Sequence, residues 1–169
     1  HLGLEESYFD DKVNNGNSIL RLLHYPPQDN PPPKGSVRAA AHEDINLITL
    51  LLGAEEAGLQ AQHRNGEWID INAPEGAVVV NAGDMLQRLT AWHIPSTTHR
   101  VLNPSAERAK FPRYSFPFFI DMDFNAVVEP VATCVTRDIL TKYTAYTCGE
   151  HKFHRFVDSY AHLQIEKTA

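Results

Sequence analysis

From Ile19 onward, apolar residues gather in short runs, several alternating with polar ones and each bounded by glycine, proline, asparagine or charged residues. That two-residue period marks half-buried β-strands. The runs are Ile19–Tyr25, Val37–Asp44, Leu47–Leu52, Gly58–Gln62, Trp68–Ile71, Ala77–Asn81, Thr97–Leu102 and Tyr114–Ile120. Asn65-Gly66 separates the fourth run from the fifth, a dipeptide that favours a hairpin turn. Residues Pro26 to Gly35 are too rich in proline for a central strand. Eight strands at this close spacing predict an antiparallel sandwich or jelly roll.

Helical spacing is confined to the flanks and one internal segment. Leu4, Tyr8, Phe9 and Val13 predict a short amphipathic helix over Leu2–Val13. Met85–Thr90 predicts one or two helical turns, with Asp84 as N-cap. Thr136–Tyr143 and His151–Ile165 also have helical character. In the second, Phe153, Phe156, Val157, Tyr160 and Leu163 form an apolar stripe expected to pack inward. The expected architecture is mainly β, a jelly roll with flanking helices at both ends. The barrel covers about 19–120 and a C-terminal helical extension about 136–165. A chain of 169 residues suits one domain of this kind.

Composition narrows the function classes. The chain is 43% hydrophobic and 21% charged, with a formal charge of -6, as expected of a globular protein. An acidic balance without a long basic run argues against nucleic acid and membrane surfaces as partners. No apolar stretch approaches a membrane span, and no signal peptide is visible. Two cysteines without a C-x-x-C pair indicate neither a disulfide framework nor a cysteine zinc site, so a reducing cytoplasm is expected.

Chemistry concentrates at a few positions. On a strand, His42 and Asp44 of His42-Glu43-Asp44 project to one face and Glu43 to the other. His99, inside the Thr97–Leu102 run, is the best-placed third ligand. Two imidazoles and one carboxylate suit iron(II) and leave three coordination positions open. The plainer reading of each histidine is a hydrogen-bonded strand residue. Arg113 and Ser115 likewise share a face, and a guanidinium fork beside a hydroxyl suits a carboxylate. The strand continues as Phe116-Pro117-Phe118-Phe119-Ile120, too apolar for a solvated edge, so a buried Arg113 needs a partner. By the same alternation Arg38 and Ala40 join the face of His42, and Arg21 and Leu23 the face of Tyr25. Facing inward, Arg21 and Arg38 would meet an anionic small-molecule substrate; otherwise they would pair with Asp84 or Glu43. Trp92 and His93 either border the pocket mouth or cap the core. Cys148-Gly149-Glu150-His151, with His154, is a weaker zinc candidate that lacks an assigned fourth ligand.

Several segments together resemble the isopenicillin N synthase-like oxygenases. They are Ala41 to Leu51, Gly58-Leu59-Gln60, Gly66-Glu67-Trp68, Val80 to Asp84, Ser96 to Val101, and Arg113-Tyr114-Ser115 with Phe116 to Phe119. They occur in that family's order, between about Leu20 and Ile120. The resemblance implies a double-stranded β-helix, iron(II), and for most members 2-oxoglutarate and molecular oxygen as cosubstrates. It makes His42, Asp44 and His99 the metal ligands, and gives the far carboxylate of 2-oxoglutarate to Arg113 and Ser115. Tyr25, in Leu23-His24-Tyr25-Pro26-Pro27, matches a tyrosine that also contacts the cosubstrate. Leu23 stands where plant members usually have asparagine, which removes one polar contact. Full-length members carry a substantial segment before the residues matching Leu2 to Phe9, and it helps wall the pocket; this chain is expected to lack it. The implied reaction couples decarboxylation of 2-oxoglutarate to hydroxylation, or a related oxidation, of a small molecule. The alternatives are an isopenicillin N synthase-type oxidase without 2-oxoglutarate, in which the arginine binds the substrate's own carboxylate, and a non-catalytic jelly-roll binding module.

Overall fold

The computed structural model describes residues 2–52, 57–135 and 143–159. Its strands are β1 (Ile19–Leu20), β2 (Leu23–Tyr25), β3 (Ala39–His42), β4 (Ile48–Leu52), β5 (Leu59–Gln62), β6 (Trp68–Asp70), β7 (Val78–Ala82), β8 (His99–Val101), β9 (Arg113–Ile120), β10 (Val127–Val128) and β11 (Tyr146–Thr147). The helices are α1 (Asp84–Leu89) and α2 (Cys148–Ser159), with a 3-10 turn at Ala132–Cys134. All eight expected runs contain strand. The first divides at Arg21-Leu22, where the Arg21 N–H still donates to the Pro117 carbonyl at 3.0 Å.

All strand pairs are antiparallel. In the major sheet β1 and β2 line one side of β9, followed by β4 and β7. The minor sheet has the order β3, β8, β5, β6, and β10 pairs with β11 apart from both. Alternation decides which side chains face inward. Along β9 Arg113, Ser115 and Pro117 are buried, while Tyr114, Phe116 and Phe118 are exposed.

The buried apolar cluster draws on α1, α2, β10 and the ends of the major-sheet strands. Leu47, Met85, Leu89, Met122, Val128 and Cys148 form one buried cluster, with Phe9 and Val13 against it. Apolar packing outside the barrel leaves its interior open for a site.

Three expectations about the helical segments change. Leu2–Val13 is a series of turns, with i→i−3 bonds at Tyr8, Asp10 and Lys12, and no α-helix. So short a segment cannot offset helix nucleation unaided, and Asp10 and Asp11 would oppose the dipole at its C-terminal end. Gly83, not Asp84, is the N-cap of α1, without a side-chain capping bond. The buried Asp84 carboxylate instead accepts from His151 Nε2 at 2.9 Å and Arg155 Nε at 2.6 Å on α2. These bonds, with Lys152 Nζ to Asp121 at 2.7 Å, fix which face of α2 turns inward. Phe153 and Phe156 of the expected stripe consequently face out, at 66% and 58% exposed. Residues 136–142 and 160–165 of the predicted C-terminal helices lie outside the described residues.

Candidate functional site

The β3 strand ends at His42, so Asp44 lies in the segment beyond it rather than on the predicted strand. The two side chains still converge, because the backbone after His42 is pinned from below. Asp84 N–H donates to the Asp44 carbonyl at 2.9 Å, Met85 N–H to that of Asn46 at 3.2 Å, and Gly83 N–H to that of Leu47 at 2.8 Å. A Cβ on Gly83 would fall 2.2 Å from the Asn46 carbonyl oxygen and 2.1 Å from its Oδ1. Only glycine permits that approach.

His99 opens β8 and pairs with His42 across the minor sheet. His42 Nε2 and His99 Nε2 each lie 3.7 Å from Asp44 Oδ1. One ligand atom from each of the three residues falls within 4.8 Å of the others, and no other such group occurs among the described residues. The remaining atoms are committed elsewhere. His42 Nδ1 lies 2.7 Å from the Ala40 carbonyl, and His99 Nδ1 lies 3.0 Å from that of Thr97. Carbonyls only accept, so the proton sits on each Nδ1 and each Nε2 presents a lone pair to the shared space. Asp44 Oδ2 accepts from Thr49 Oγ1 at 2.6 Å and from Asn81 Nδ2 at 2.9 Å, leaving Oδ1 for the same space. Asn46 Nδ2 donates in turn to Thr49 Oγ1 at 2.8 Å. The donor set and its orientation fit a divalent metal such as iron(II).

Thr49 and Asn81 received no role from the sequence, although each is a polar residue at an inward position of an otherwise aliphatic strand. Outer partners of this kind orient the ligand and tune its basicity. Thr49→Val and Asn81→Ala are therefore each expected to weaken iron(II) binding by about 10–100-fold. Anaerobic iron titration checks this; unchanged affinity in both variants would make the two contacts irrelevant to the metal.

Arg113, Ser115 and Tyr25 form a second group. Tyr25 pairs with Arg113 and Leu23 with Ser115 between β2 and β9. Arg113 is 2% exposed, and its Cζ lies 5.4 Å from the centre of the Tyr25 ring. Burial pulls its pKa below the ordinary arginine value, Tyr25 partly offsets this, and the Arg38 charge lowers it further. A cavity of about 570 Å³ is lined by both groups: His42, Asp44 and His99, and Tyr25, Arg113 and Ser115. Most of the remaining wall is aliphatic, including Leu51, Leu59, Ile71 and Val79.

Arg21 lies on this cavity wall, and Arg38 does not. The register of β3 shifts between Ala39 and His42, and this irregularity reverses the alternation, so Ala39 rather than Ala40 lines the cavity. Trp92 and His93 also stay off the wall. Positive φ angles of 46° at Ala91 and 65° at Trp92 turn the chain there, and the next residues, Ile94 and Pro95, line the cavity. The zinc candidate does not assemble: Cys148 Sγ is buried against the Met122 carbonyl at 3.2 Å, and His151 is held by Asp84.

Two imidazoles and one carboxylate on one side of a β-barrel cavity are the arrangement of non-haem iron(II) oxygenases. The 2OG-Fe(II) oxygenase superfamily profile matches residues 16–122, and the chain belongs to that superfamily. It is 34% identical over 168 residues to hxnY, a 2-oxoglutarate-Fe(II) type oxidoreductase of Emericella nidulans, covering 98% of this chain and 47% of the relative. A crystal structure from Caulobacter crescentus, described as a 2OG-Fe(II) oxygenase family protein, superposes with a TM-score of 0.82 at 48% identity, covering 93% of this chain and 50% of the other. A full-length Neurospora crassa protein solved with alpha-KG and thymine gives 0.82 at 37% identity, covering 94% and 49%. The chain thus spans about half the length of these relatives. No helix among the described residues is long and apolar enough to cross a membrane.

Proposed function

We propose that this chain is the catalytic barrel of an enzyme that couples oxidative decarboxylation of 2-oxoglutarate to hydroxylation, or a related oxidation, of a small molecule. In this reading His42, Asp44 and His99 hold iron(II), and Arg113, Ser115 and Tyr25 receive the far carboxylate of 2-oxoglutarate. The supporting observation is that the two groups line one cavity. Bound iron would supply the oxygen chemistry, and the chain's residues do the rest. Asp44 offsets part of the cation's charge, while the Nδ1 bonds of both histidines hold their rings at a fixed angle. Arg113 binds the cosubstrate's far end, so that its keto acid reaches the metal in one orientation. The aliphatic wall keeps the reacting centre dry. Two buried free thiols, Cys134 and Cys148, suit a reducing, cytoplasmic setting.

Arg21 is the candidate for the prime substrate, as a cation on the wall suited to an anionic or carbonyl-bearing group. Its guanidinium lies 5.6 Å from the Phe119 ring centre. Phe119 pairs with Thr49, which bonds Asp44, so Arg21 stands at the metal end of β9.

Anaerobic addition of 2-oxoglutarate to the iron-loaded protein should produce the charge-transfer band of the chelate, and oxygen should then yield succinate. Iron binding without that band would favour the oxidase chemistry, and no iron binding would favour a non-catalytic module. In Arg21→Ala, substrate-free succinate formation should persist while coupled oxidation of an anionic substrate falls. Equal loss of both would remove Arg21 from substrate recognition.

A further inference from the structure

One ionic cluster stands apart from the cavity wall. The carboxylates of Asp84 and Asp121 are both buried, and neither lines the cavity. One face of α2 supplies their partners. His151 Nε2 and Arg155 Nε donate to the two oxygens of Asp84 at 2.9 and 2.6 Å, and Lys152 Nζ donates to Asp121 at 2.7 Å. A buried carboxylate is costly unless it is paired, and a well-packed apolar contact would hold a helix as firmly. Phe153 and Phe156, which could have made such a contact, face out. Charge-assisted bonds to fixed oxygens set a position as well as a docking energy.

Asp84 also opens α1, and its backbone bears on the metal group. The first N–H groups of a helix have no partners within it and are usually capped by a side chain. Gly83 offers none, and the segment that carries Asp44 supplies the acceptors instead. Asp84 N–H donates to the Asp44 carbonyl at 2.9 Å, and Met85 N–H to that of Asn46 at 3.2 Å. Residues 43–47 belong to no strand, so these bonds fix a stretch without a ladder of its own. One residue thus holds the ligand segment by its backbone and α2 by its side chain.

We infer that Asp84 is a positioning residue for the metal ligand Asp44, and that α2 tightens the metal site through it from outside the barrel. This rests on the function proposed above, in which Asp44 holds iron(II). Asp44 Oδ1 lies 3.7 Å from both His42 Nε2 and His99 Nε2, and metal sites tolerate ligand displacements of only about 0.2 Å. Loss of a bond from α2 leaves the buried Asp84 charge short of a partner. It moves toward the partners that remain, and α1 and the Asp44 carbonyl move with it. The metal then meets a ligand set complete in identity and wrong in spacing.

Anaerobic titration of the full chain with iron(II), and separately with cobalt(II), provides the test. Cobalt absorption reports coordination geometry. Asp84→Asn and Arg155→Met should each weaken iron(II) binding about tenfold or more, the range for a lost outer partner, and should alter the cobalt absorption. Arg155→Lys keeps the charge and should recover most of the affinity. Lys152→Met is the control: it removes a bond of the same kind from the same helix, but to Asp121, which lies outside α1. Its midpoint of urea unfolding should fall, while iron affinity and cobalt absorption stay as in the wild type. Lost stability alone does not change the metal affinity of the folded protein. Arg155 is partly exposed, so Arg155→Met carries the test if Asp84→Asn does not fold. Wild-type affinity and cobalt absorption in Arg155→Met would overturn the inference. So would equal weakening in Lys152→Met, or no recovery in Arg155→Lys. A wild type that binds neither metal would instead sink the proposed function, and this inference with it.

Discussion

Replacing Asp44 with alanine is expected to abolish tight iron(II) binding. The substitution removes the only anion of the three-residue group, and it strands Thr49 Oγ1 and Asn81 Nδ2, which both donate to that carboxylate. Loss of a mere outer partner costs 10–100-fold in metal affinity, so loss of the ligand should exceed about 100-fold. His42→Ala and His99→Ala should each fall in the same range, because a two-anchor site holds a divalent ion poorly. The controls are His24 and His63. His24 stacks on Tyr114 with ring centres 4.9 Å apart, and His63 lies exposed at the Asn65-Gly66 hairpin. Alanine at either should leave iron affinity unchanged. Anaerobic iron titration of the five variants is the measurement, and wild-type affinity in Asp44→Ala would remove Asp44 from the site.

The second large effect is expected at Arg113. Its fork should make two charge-assisted hydrogen bonds to the far carboxylate of 2-oxoglutarate, each contributing about 1.5–3 kcal/mol. Arg113→Ala removes both and leaves the incoming carboxylate in a partly buried site without its main partner. Cosubstrate affinity should therefore fall at least about tenfold. Arg113→Lys keeps the charge without the planar fork and should lie between wild type and alanine. Ser115→Ala removes one neutral donor and should cost less. Iron affinity should be nearly unchanged in all three, since none of these residues faces the metal group. Titration of 2-oxoglutarate into each iron-loaded variant separates the outcomes. If Arg113→Ala binds as tightly as wild type, the carboxylate is held elsewhere.

The sequence alone determined the strands and the identities of the chemical groups. A two-residue period survives in any context where one face is buried, which is why all eight runs contain strand. Arg113 and Ser115 could be read because alternation is local and needs no knowledge of the partner strand, whereas Asp44 joins His42 and His99 from beyond the strand that alternation assumed. Tyr25 came from the resemblance. The same logic placed Arg21 on the inward face of its strand, where the cavity wall includes it.

The tertiary structure decided whatever depends on a break in the period or on distant contacts. The register shift between Ala39 and His42 inverted the alternation and took Arg38 off the cavity wall, and no local pattern announces such a shift. Asp44 reaches His42 and His99 from beyond the strand because Asp84, Met85 and Gly83 hold the following backbone from nearly forty residues away. Thr49 and Asn81 acquire meaning only when the Asp44 carboxylate arrives between them. The orientation of α2 was misread for a related reason. Its stripe of phenylalanines offered a hydrophobic face, but bonds from His151 and Arg155 to the buried Asp84 turn the opposite face inward. Periodicity reports which residues share a face; which face is covered depends on groups the chain brings from far away.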